Sequence, residues 1–214
     1  MNRLIFLCTV AVVALTSCGN ANQEKTTNSN QKEMEMSENN TGEQGYRKVE
    51  PGEIPDNVIK LLSKEWMLIT AGNDTAFNGM TASWGAFGHL WNRPVAFIMV
   101  RDTRYTYEFL QKNDYYTLSF FDEKYRDALT IMGTKSGRDS DKVKEAGLTP
   151  LSLASGLMSF AEARMIVECR KLYADPFKKE CFTDPQLFDN IYNQTDKSIH
   201  TLYVGEIVNV WIKK

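Results

Sequence analysis

The strongest constraint on the fold of this sequence is a run in which apolar and charged residues alternate. The apolar residues are Ala161, Ala163, Met165, Val167 and Cys169, and they alternate with Glu162, Arg164, Glu168 and Arg170. Ile166 is the only exception. Successive side chains of a strand point to opposite faces, so a period of two predicts a strand with one buried face. We predict a half-buried antiparallel strand over 160–172, as in the wall of a barrel, with Cys169 pointing to the core.

Other segments predict a mainly β chain with helices inserted between the strands. Further strands are predicted over 65–71, 78–88, 95–100, 115–121 and 200–212. Helices are predicted over 58–62, 103–112, 123–132 and 184–192. On the last strand, His200 lies at the mouth of a face that carries Leu202, Val204, Val208, Val210 and Ile212. The pattern favours an α+β fold built on a closed or partly closed antiparallel barrel with helical insertions.

The first residues have the composition of an export signal. Arg3 supplies a positive charge, residues 4–15 are apolar, and Leu15-Thr16-Ser17-Cys18 fits the cleavage site of a lipoprotein signal peptidase. The apolar run is too short to span a bilayer comfortably as a helix. We expect residues 1–17 to be a lipoprotein signal peptide and Cys18 to carry the acyl chains of a membrane anchor. A plain N-terminal anchor and a secreted product are the alternatives.

Residues 18–45 are rich in Asn, Gln, Glu, Lys, Ser and Thr. Such a segment buries too little apolar surface to offset the entropy of ordering, so we expect a disordered tether with a span of ~30 Å. Residues 46–214 are then one domain, long enough to form a core. The net charge of −2 gives no electrostatic reason to expect nucleic acid as a partner. With two histidines, a His-rich metal site is excluded, and no metal is expected.

Residues 78–106 predict a site for a flat, phosphorylated ligand. Small residues let such a ligand approach the main chain, and a large ring can form one wall: Gly79, Ala82 and Ser83 are small, and Trp84 follows them. Cations and hydroxyls then collect where an apolar strand ends and a helix begins: Arg101, Thr103, Arg104, Tyr105 and Thr106. A helix N-terminus beside two arginines is a plausible phosphate seat. An ordinary barrel strand followed by an arginine-capped loop explains the same residues.

Four motifs in this order resemble the flavoredoxin branch of the flavin reductase-like, FMN-binding split-barrel family. They are Asn78-x-Met80-Thr81-Ala82-Ser83-Trp84, Arg101-x-x-Arg104-Tyr105-Thr106, the segment from Gly133 to Asp139, and the segment from His200 to Ile207. The likeness extends from about Trp66 to Val210. It implies a split antiparallel barrel and a homodimer that binds one FMN per subunit, noncovalently, near the interface.

The resemblance also implies which residues contact the flavin. The FMN contacts would come from Asn78, Met80, Thr81, Ala82, Ser83, Trp84, Arg101, Arg104, Tyr105, Thr106, Lys135 and Ser136. His200 would lie near the ring and is the one candidate for a catalytic role, although a polar residue at a strand end explains it as well. For Lys135 and Ser136 the alternative is a solvated turn followed by a Ser140 helix cap.

Three other residues carry chemistry that the pattern leaves open. His89 is interpreted as an exposed loop histidine between two strands, with a substrate-side role as the alternative. Cys169 and Cys181 could close a loop of about 13 residues with a disulfide worth ~3 kcal/mol in the chain-entropy model. They could also form a redox-active pair or stay separate thiols, and the inward position predicted for Cys169 favours separate thiols.

The sequence therefore predicts an FMN-dependent oxidoreductase, a flavin reductase or flavoredoxin-like electron carrier, anchored in the cell envelope. In such proteins the flavin performs the redox chemistry and the protein binds, orients and tunes it. A small-molecule or protein redox partner is expected. The alternative is a flavin- or nucleotide-binding lipoprotein, or a scaffold lipoprotein, without turnover.

Overall fold

A computed structural model describes residues 45–192 and 198–214. The predicted signal peptide, the lipidation site Cys18 and the tether up to residue 44 lie outside the described residues. These expectations therefore stay predictions. None of the helices in the described part combines the length and the apolar character needed to cross a membrane.

The described chain is built on one antiparallel sheet of eight strands. Seven of them lie in the order β3-β2-β6-β9-β10-β5-β4, and β1 pairs with β10. A separate hairpin joins β7 to β8. The strands are β1 (Tyr46–Val49), β2 (Met67–Gly72), β3 (Phe77–Ala82), β4 (Gly85–Leu90), β5 (Arg93–Arg101), β6 (Tyr115–Phe120), β7 (Pro150–Ser152), β8 (Met158–Phe160), β9 (Met165–Pro176) and β10 (His200–Lys213). The prediction of a mainly β chain is confirmed.

Short helices connect the strands, as predicted. They are α1 (Val58–Lys60), α2 (Tyr105–Lys112), α3 (Arg126–Thr134), α4 (Lys142–Glu145) and α5 (Pro185–Tyr192). Helix α1 continues as a π-helical segment over Leu61–Glu65, and three single 3-10 turns cover Pro51–Glu53, Glu123–Tyr125 and Lys179–Cys181. Pro185 is the first residue of α5, where its fixed φ angle and missing N–H are tolerated.

Two hydrophobic clusters lie on opposite faces of the sheet. The first fills the barrel and includes Met67, Ile69 and Val167. The second lies under α3 and includes the neighbouring residues Leu68 and Ile166. Because both faces of the central strands are covered, residues at odd and even positions are buried together.

Strand β9 differs from its prediction for this reason. It begins at Met165, and every residue from Met165 to Cys169 is buried, including Glu168. The indole N–H of Trp211 donates to the Glu168 carboxylate at 2.5 Å, so the buried charge has a partner. The start at residue 160 and the half-buried character were therefore wrong, whereas the inward position of Cys169 is confirmed. Cys169 and the exposed Cys181 are free thiols.

Strand β10 changes face along its length. The odd-numbered residues Tyr203 and Ile207 belong to the barrel cluster in the first half of the strand. Further along, the even-numbered Val210 belongs to it. The pairing with β9 is irregular between Ile207 and Asn209, and Val208 is 36% exposed. An extra residue in one strand reverses the faces beyond it. The prediction that Leu202, Val204, Val208, Val210 and Ile212 share one face was therefore wrong, because Leu202 and Val204 lie on the face opposite Val210 and Ile212.

The strand predicted over 78–88 is two strands. Ser83 and Trp84 separate β3, which pairs with β2, from β4, which pairs with β5. His89 lies in β4 and not in the loop, although it is exposed as expected. The turn of the β4–β5 hairpin is Trp91-Asn92, whose φ angles of 52° and 57° suit a tight two-residue connection. The break at Ser83 and Trp84 forms a corner of the candidate site.

Candidate functional site

Two adjoining cavities lie where β3 ends. The first, here called the strand-end cavity, has a volume of about 220 Å³ and is lined by Met80, Thr81, Ala82, Ser83, Trp84, Met99, Arg101, Arg104 and His200. The second, here called the loop cavity, has a volume of about 120 Å³ and is lined by Met80, Thr103, Arg104, Tyr105, Thr106, Thr134, Lys135, Ser136 and Lys142. Met80 and Arg104 line both. The fold thus brings together predicted residues from distant parts of the sequence.

The strand-end cavity owes its shape to the register of the sheet. Strand β10 begins opposite the end of β5, so His200 pairs directly with Arg101. The corner after β3 then places Trp84 over His200, with ring centroids 4.8 Å apart and planes inclined at 41°. Trp84 is 47% exposed. The wall predicted for Trp84 therefore stands at the open side of the cavity.

Gly79 does not have the role predicted from its size. It is buried in β3, and a Cβ there would lie 3.0 Å from the Thr70 hydroxyl and 3.4 Å from the Met132 side chain. The missing side chain therefore makes room for packing against β2 and α3, and not for a ligand. Ala82 and Ser83 do line the strand-end cavity.

Asn78 supports the site from behind. It is 6% exposed, and its side-chain amide donates to the Thr106 hydroxyl at 2.7 Å. Thr106 lies in the first turn of α2, which begins at Tyr105 and not at residue 103 as predicted. The residue before the helix, Arg104, makes no side-chain capping bond. Asn78 therefore ties β3 to the helix N-terminus that faces the loop cavity.

Two cations in the loop cavity are held by the C-terminal end of α3. Arg104 donates to the Gly133 carbonyl at 2.6 Å. Lys142 donates to the carbonyls of Met132 and Lys135 at 3.1 and 3.2 Å. Helix C-termini favour cations because their carbonyls carry partial negative charge. Partial charges do not neutralise two full positive charges, so the cavity stays electropositive.

Burial, and then this electropositive setting, lower the pKa values of three groups at the site. Burial, and then the neighbouring Arg101, lower the pKa of Arg104. Burial, and then Arg104, lower the pKa of Lys142 to about 8. Burial, Arg101 and Arg104 lower the pKa of His200 to about 4, against the opposing effect of Asp102. His200 is therefore neutral at pH 7, and the cations disfavour one another in the absence of an anion.

The loop after α3 is fixed by its own contacts. The Lys135 side chain forms an ion pair with Glu145. The Ser136 hydroxyl accepts from the backbone N–H of Arg138 at 3.2 Å. The cap of α4 is Asp141, whose carboxylate accepts from the backbone N–H of Lys144, so the predicted Ser140 cap was wrong.

Sequence reasoning missed three lining residues, Met99, Thr134 and Lys142. Met99 lies in β5, whose apolar pattern gives no sign of a ligand, whereas Thr134 lies in the motif from Gly133 to Asp139 but was not among the predicted contacts. Lys142 follows the predicted Ser140 cap as one charged residue among several in the sequence, and only its buried position after folding distinguishes it from the other lysines. Within residues 45–192 and 198–214, no group of three or more His, Cys, Asp or Glu lies close enough to hold a metal ion.

Comparison with known proteins agrees with this architecture. The fold is the antiparallel split barrel of flavin reductase-like proteins. Residues 60–214 match the family model described as the flavin reductase like domain, and the chain belongs to this family. The family predicted from the four motifs is confirmed. No curated protein sequence matches the chain.

Solved structures share the fold at low sequence identity. An FMN-binding domain of a flavin reductases-like enzyme from Shewanella baltica OS155 has a TM-score of 0.57 and 16% identity, covering 78% of this chain and 77% of that one. The flavoredoxin of Desulfovibrio vulgaris (Miyazaki F) has a TM-score of 0.54 and 20% identity, covering 70% and 69%. An FMN-binding protein from Thermus thermophilus, with bound p-hydroxybenzaldehyde, has a TM-score of 0.53 and 21% identity, covering 70% and 71%.

Proposed function

We propose that this protein is an FMN-binding oxidoreductase that transfers electrons as a flavin reductase or a flavoredoxin-like carrier. One observation carries the proposal: an electropositive loop cavity adjoins a cavity walled by Trp84 and a backbone corner. Membership of the flavin reductase-like family and the similarity to FMN-binding proteins support FMN as the ligand.

The donor set of the loop cavity fits a phosphate group. Arg104 and Lys142 supply positive charge, and Thr103, Thr106 and Ser136 supply hydroxyls. A phosphate monoester carries close to two negative charges at pH 7 and accepts several hydrogen bonds. The N-terminus of α2, which is eight residues long, adds a positive dipole end.

The strand-end cavity fits a flat ring. Ala82 and Ser83 are small, and the rings of Trp84 and His200, which pack on each other, also line the cavity. Bound here, FMN would supply the electron transfer itself. The residues of the chain would hold the ring between the backbone corner and Trp84 and exclude water from one face. His200, which is neutral, can give or accept one hydrogen bond beside the ring.

A homodimer is part of the proposal. Trp84 is 47% exposed although it lines the strand-end cavity, so a second subunit could cover the ring and the indole together. Sedimentation with and without FMN tests the dimer. A monomer at micromolar concentration in both states would contradict it.

The proposed location is the cell envelope, with a lipid anchor at Cys18. The apolar run over 4–15 followed by Leu15-Thr16-Ser17-Cys18 supports it. A Cys18→Ser variant should lose incorporation of labelled fatty acid and move from the detergent phase to the aqueous phase in a phase-partition experiment. Equal labelling of parent and variant would exclude acylation at this cysteine.

An envelope location bears on the electron donor, because nicotinamide nucleotides are cytoplasmic. We propose that the protein receives electrons from an envelope redox partner or a quinol-linked chain, or that it reduces a small acceptor such as a metal complex or a free flavin. Anaerobic reduction of the FMN-loaded protein by dithionite, NADH and NADPH tests this. Reduction by dithionite alone fits the proposal, and rapid bleaching by micromolar NADH or NADPH would contradict it. If the protein retains no flavin, the oxidoreductase function is refuted and the alternative, a lipoprotein without turnover, takes its place.

A further inference from the structure

Helix α5 contacts the residues of the strand-end cavity through its last residue, Tyr192. This side chain is 5% exposed, and its ring packs on Phe188 of the same helix with centroids 5.0 Å apart. The ring also meets two residues that line the cavity. The His200 ring lies 5.7 Å away between centroids, and the guanidinium carbon of Arg101 lies 5.8 Å from the ring centre. Tyr192 is therefore held between the helix and the candidate site.

The hydroxyl of Tyr192 lies 3.2 Å from Nδ1 of His200. A neutral imidazole has one N–H donor and one acceptor nitrogen, and the hydrogen bond at one nitrogen decides which of them carries the proton. Either the hydroxyl donates to Nδ1, or Nδ1–H donates to the phenolic oxygen. The first arrangement leaves a donor at Nε2, and the second leaves an acceptor there.

The surroundings of Tyr192 favour donation by its hydroxyl. The residue is buried, and among the described residues His200 is the hydrogen-bond partner of this hydroxyl. If Nδ1–H were the donor, the hydroxyl proton would have no acceptor there, and an unsatisfied buried donor is costly. An imidazole nitrogen is also a more basic acceptor than a phenolic oxygen. The proton of His200 therefore lies on Nε2, the ring nitrogen left for a molecule in the cavity that His200 lines.

We infer that Tyr192 is a positioning residue: its hydroxyl donates to Nδ1, keeps the proton of His200 on Nε2 and so makes His200 a hydrogen-bond donor to the molecule bound in the strand-end cavity. The ligand class is one whose edge accepts hydrogen bonds, such as a ring with carbonyl oxygens or unprotonated nitrogens. Applied to FMN, the inference rests on the proposed function. A hydrogen bond donated to the flavin ring favours its electron-rich reduced form.

The first measurement needs no flavin. Long-range 1H–15N correlation spectra of the full chain at pH 7 separate protonated from unprotonated ring nitrogens, and a His89→Asn variant assigns the two histidines. In the parent, His200 should be protonated at Nε2 alone. In Tyr192→Phe, which keeps the ring and loses the hydroxyl, the 15N signals should move to averaged positions because both tautomers are populated. The control Tyr173→Phe removes the hydroxyl of an exposed tyrosine in β9 and should leave His200 unchanged.

The second measurement is the reduction potential of bound FMN, determined by equilibration with a reference dye. Loss of one hydrogen bond to the ring should weaken the binding of reduced FMN relative to oxidised FMN by about 2- to 10-fold in Tyr192→Phe. A tenfold change corresponds to a potential lower by about 30 mV for a two-electron couple. Tyr173→Phe should keep the potential of the parent.

The parent spectrum alone can overturn the inference, because protonation of His200 at Nδ1 would show the opposite hydrogen bond. A Tyr192→Phe variant that kept the tautomer of the parent would overturn it as well. So would equal weakening of oxidised and reduced FMN, because that result would show a purely structural role. A parent that retains no flavin would instead refute the proposed function, and the tautomer would still decide the role of Tyr192. The two failures are therefore distinguishable.

Discussion

The pKa of His200 depends on the burial of its ring and then on the two arginines of the candidate site. Burial, Arg101 and Arg104 lower it from the ordinary 6.5 to about 4. Replacing Arg104 with methionine removes one positive charge and keeps a side chain of similar length. The pKa of His200 should then rise, because the protonated imidazole no longer meets that charge.

The size of the rise is bounded by the order of the causes. Arg104 is the smallest of the three causes that lower this pKa, after burial and Arg101, and Asp102 opposes them. Its removal should therefore recover only a minor part of the interval between about 4 and the ordinary value, and solvent screening at the half-exposed ring reduces the rise further. Added FMN should raise the pKa in the parent for the same reason, because a bound phosphate offsets both arginines.

The assay is an NMR titration of the imidazole Cε1–H signals. The chain has two histidines, His89 and His200, so a His89→Asn variant assigns both signals. In the parent, the His200 signal should not shift between pH 5.5 and 8, and in Arg104→Met its titration should begin at higher pH. A parent His200 that titrates at or above its ordinary pKa would show a solvated ring without a cationic surrounding, and would refute the proposed electrostatics.

Three further predictions concern stability. Gly205→Ala would place a Cβ 2.2 Å from the hydroxyl of the buried Tyr116, so the free energy of unfolding should fall by about 1–3 kcal/mol in urea titrations. Gly88→Ala, whose Cβ meets nothing nearer than 3.8 Å, is the control and should change it little. Lowering the pH from 6.5 to 4 should destabilise the protein by on the order of 1 kcal/mol through His200, because the unfolded chain binds the proton more tightly and solvent screens the half-exposed ring. A His200→Gln variant that keeps the same slope in this window would contradict that attribution. Asn78→Ala removes the bond to Thr106 and should lower the free energy of unfolding by about 1–2 kcal/mol and weaken FMN binding, and unchanged values for both would exclude the supporting role.

The sequence allowed the fold and most of the site to be predicted because local signals and chain order agree there. The small residues after Met80 and the arginines before α2 belong to two of the four sequence motifs. The pairing of the strands then brings them together at the strand-end cavity. Most of the predicted lining residues therefore contact one of the two cavities. Their role in binding FMN stays a prediction until a flavin is measured.

The features that could not be predicted depend on contacts between distant segments. The irregularity at Val208 arises from the pairing with β9, and alternation along one strand cannot reveal it. From the sequence, a glycine at position 79 is equally compatible with a ligand and with α3 in the space beside it. Lys142 resembles any helical lysine until α3 and α4 pack together. Burial and partner identity are properties of the fold and not of the local pattern.

The central claim is that the strand-end cavity and the loop cavity together bind FMN. The most direct measurement is the absorbance spectrum of the purified protein after FMN has been added and free flavin removed, beside an Arg101→Ala/Arg104→Ala variant. An Arg93→Ala/Arg170→Ala variant loses the same charge from the ion pairs with Glu206 and serves as control. We predict flavin absorbance in the parent and the control and its loss in the variant of the site. A parent without flavin, or a site variant that retains it fully, would contradict the claim.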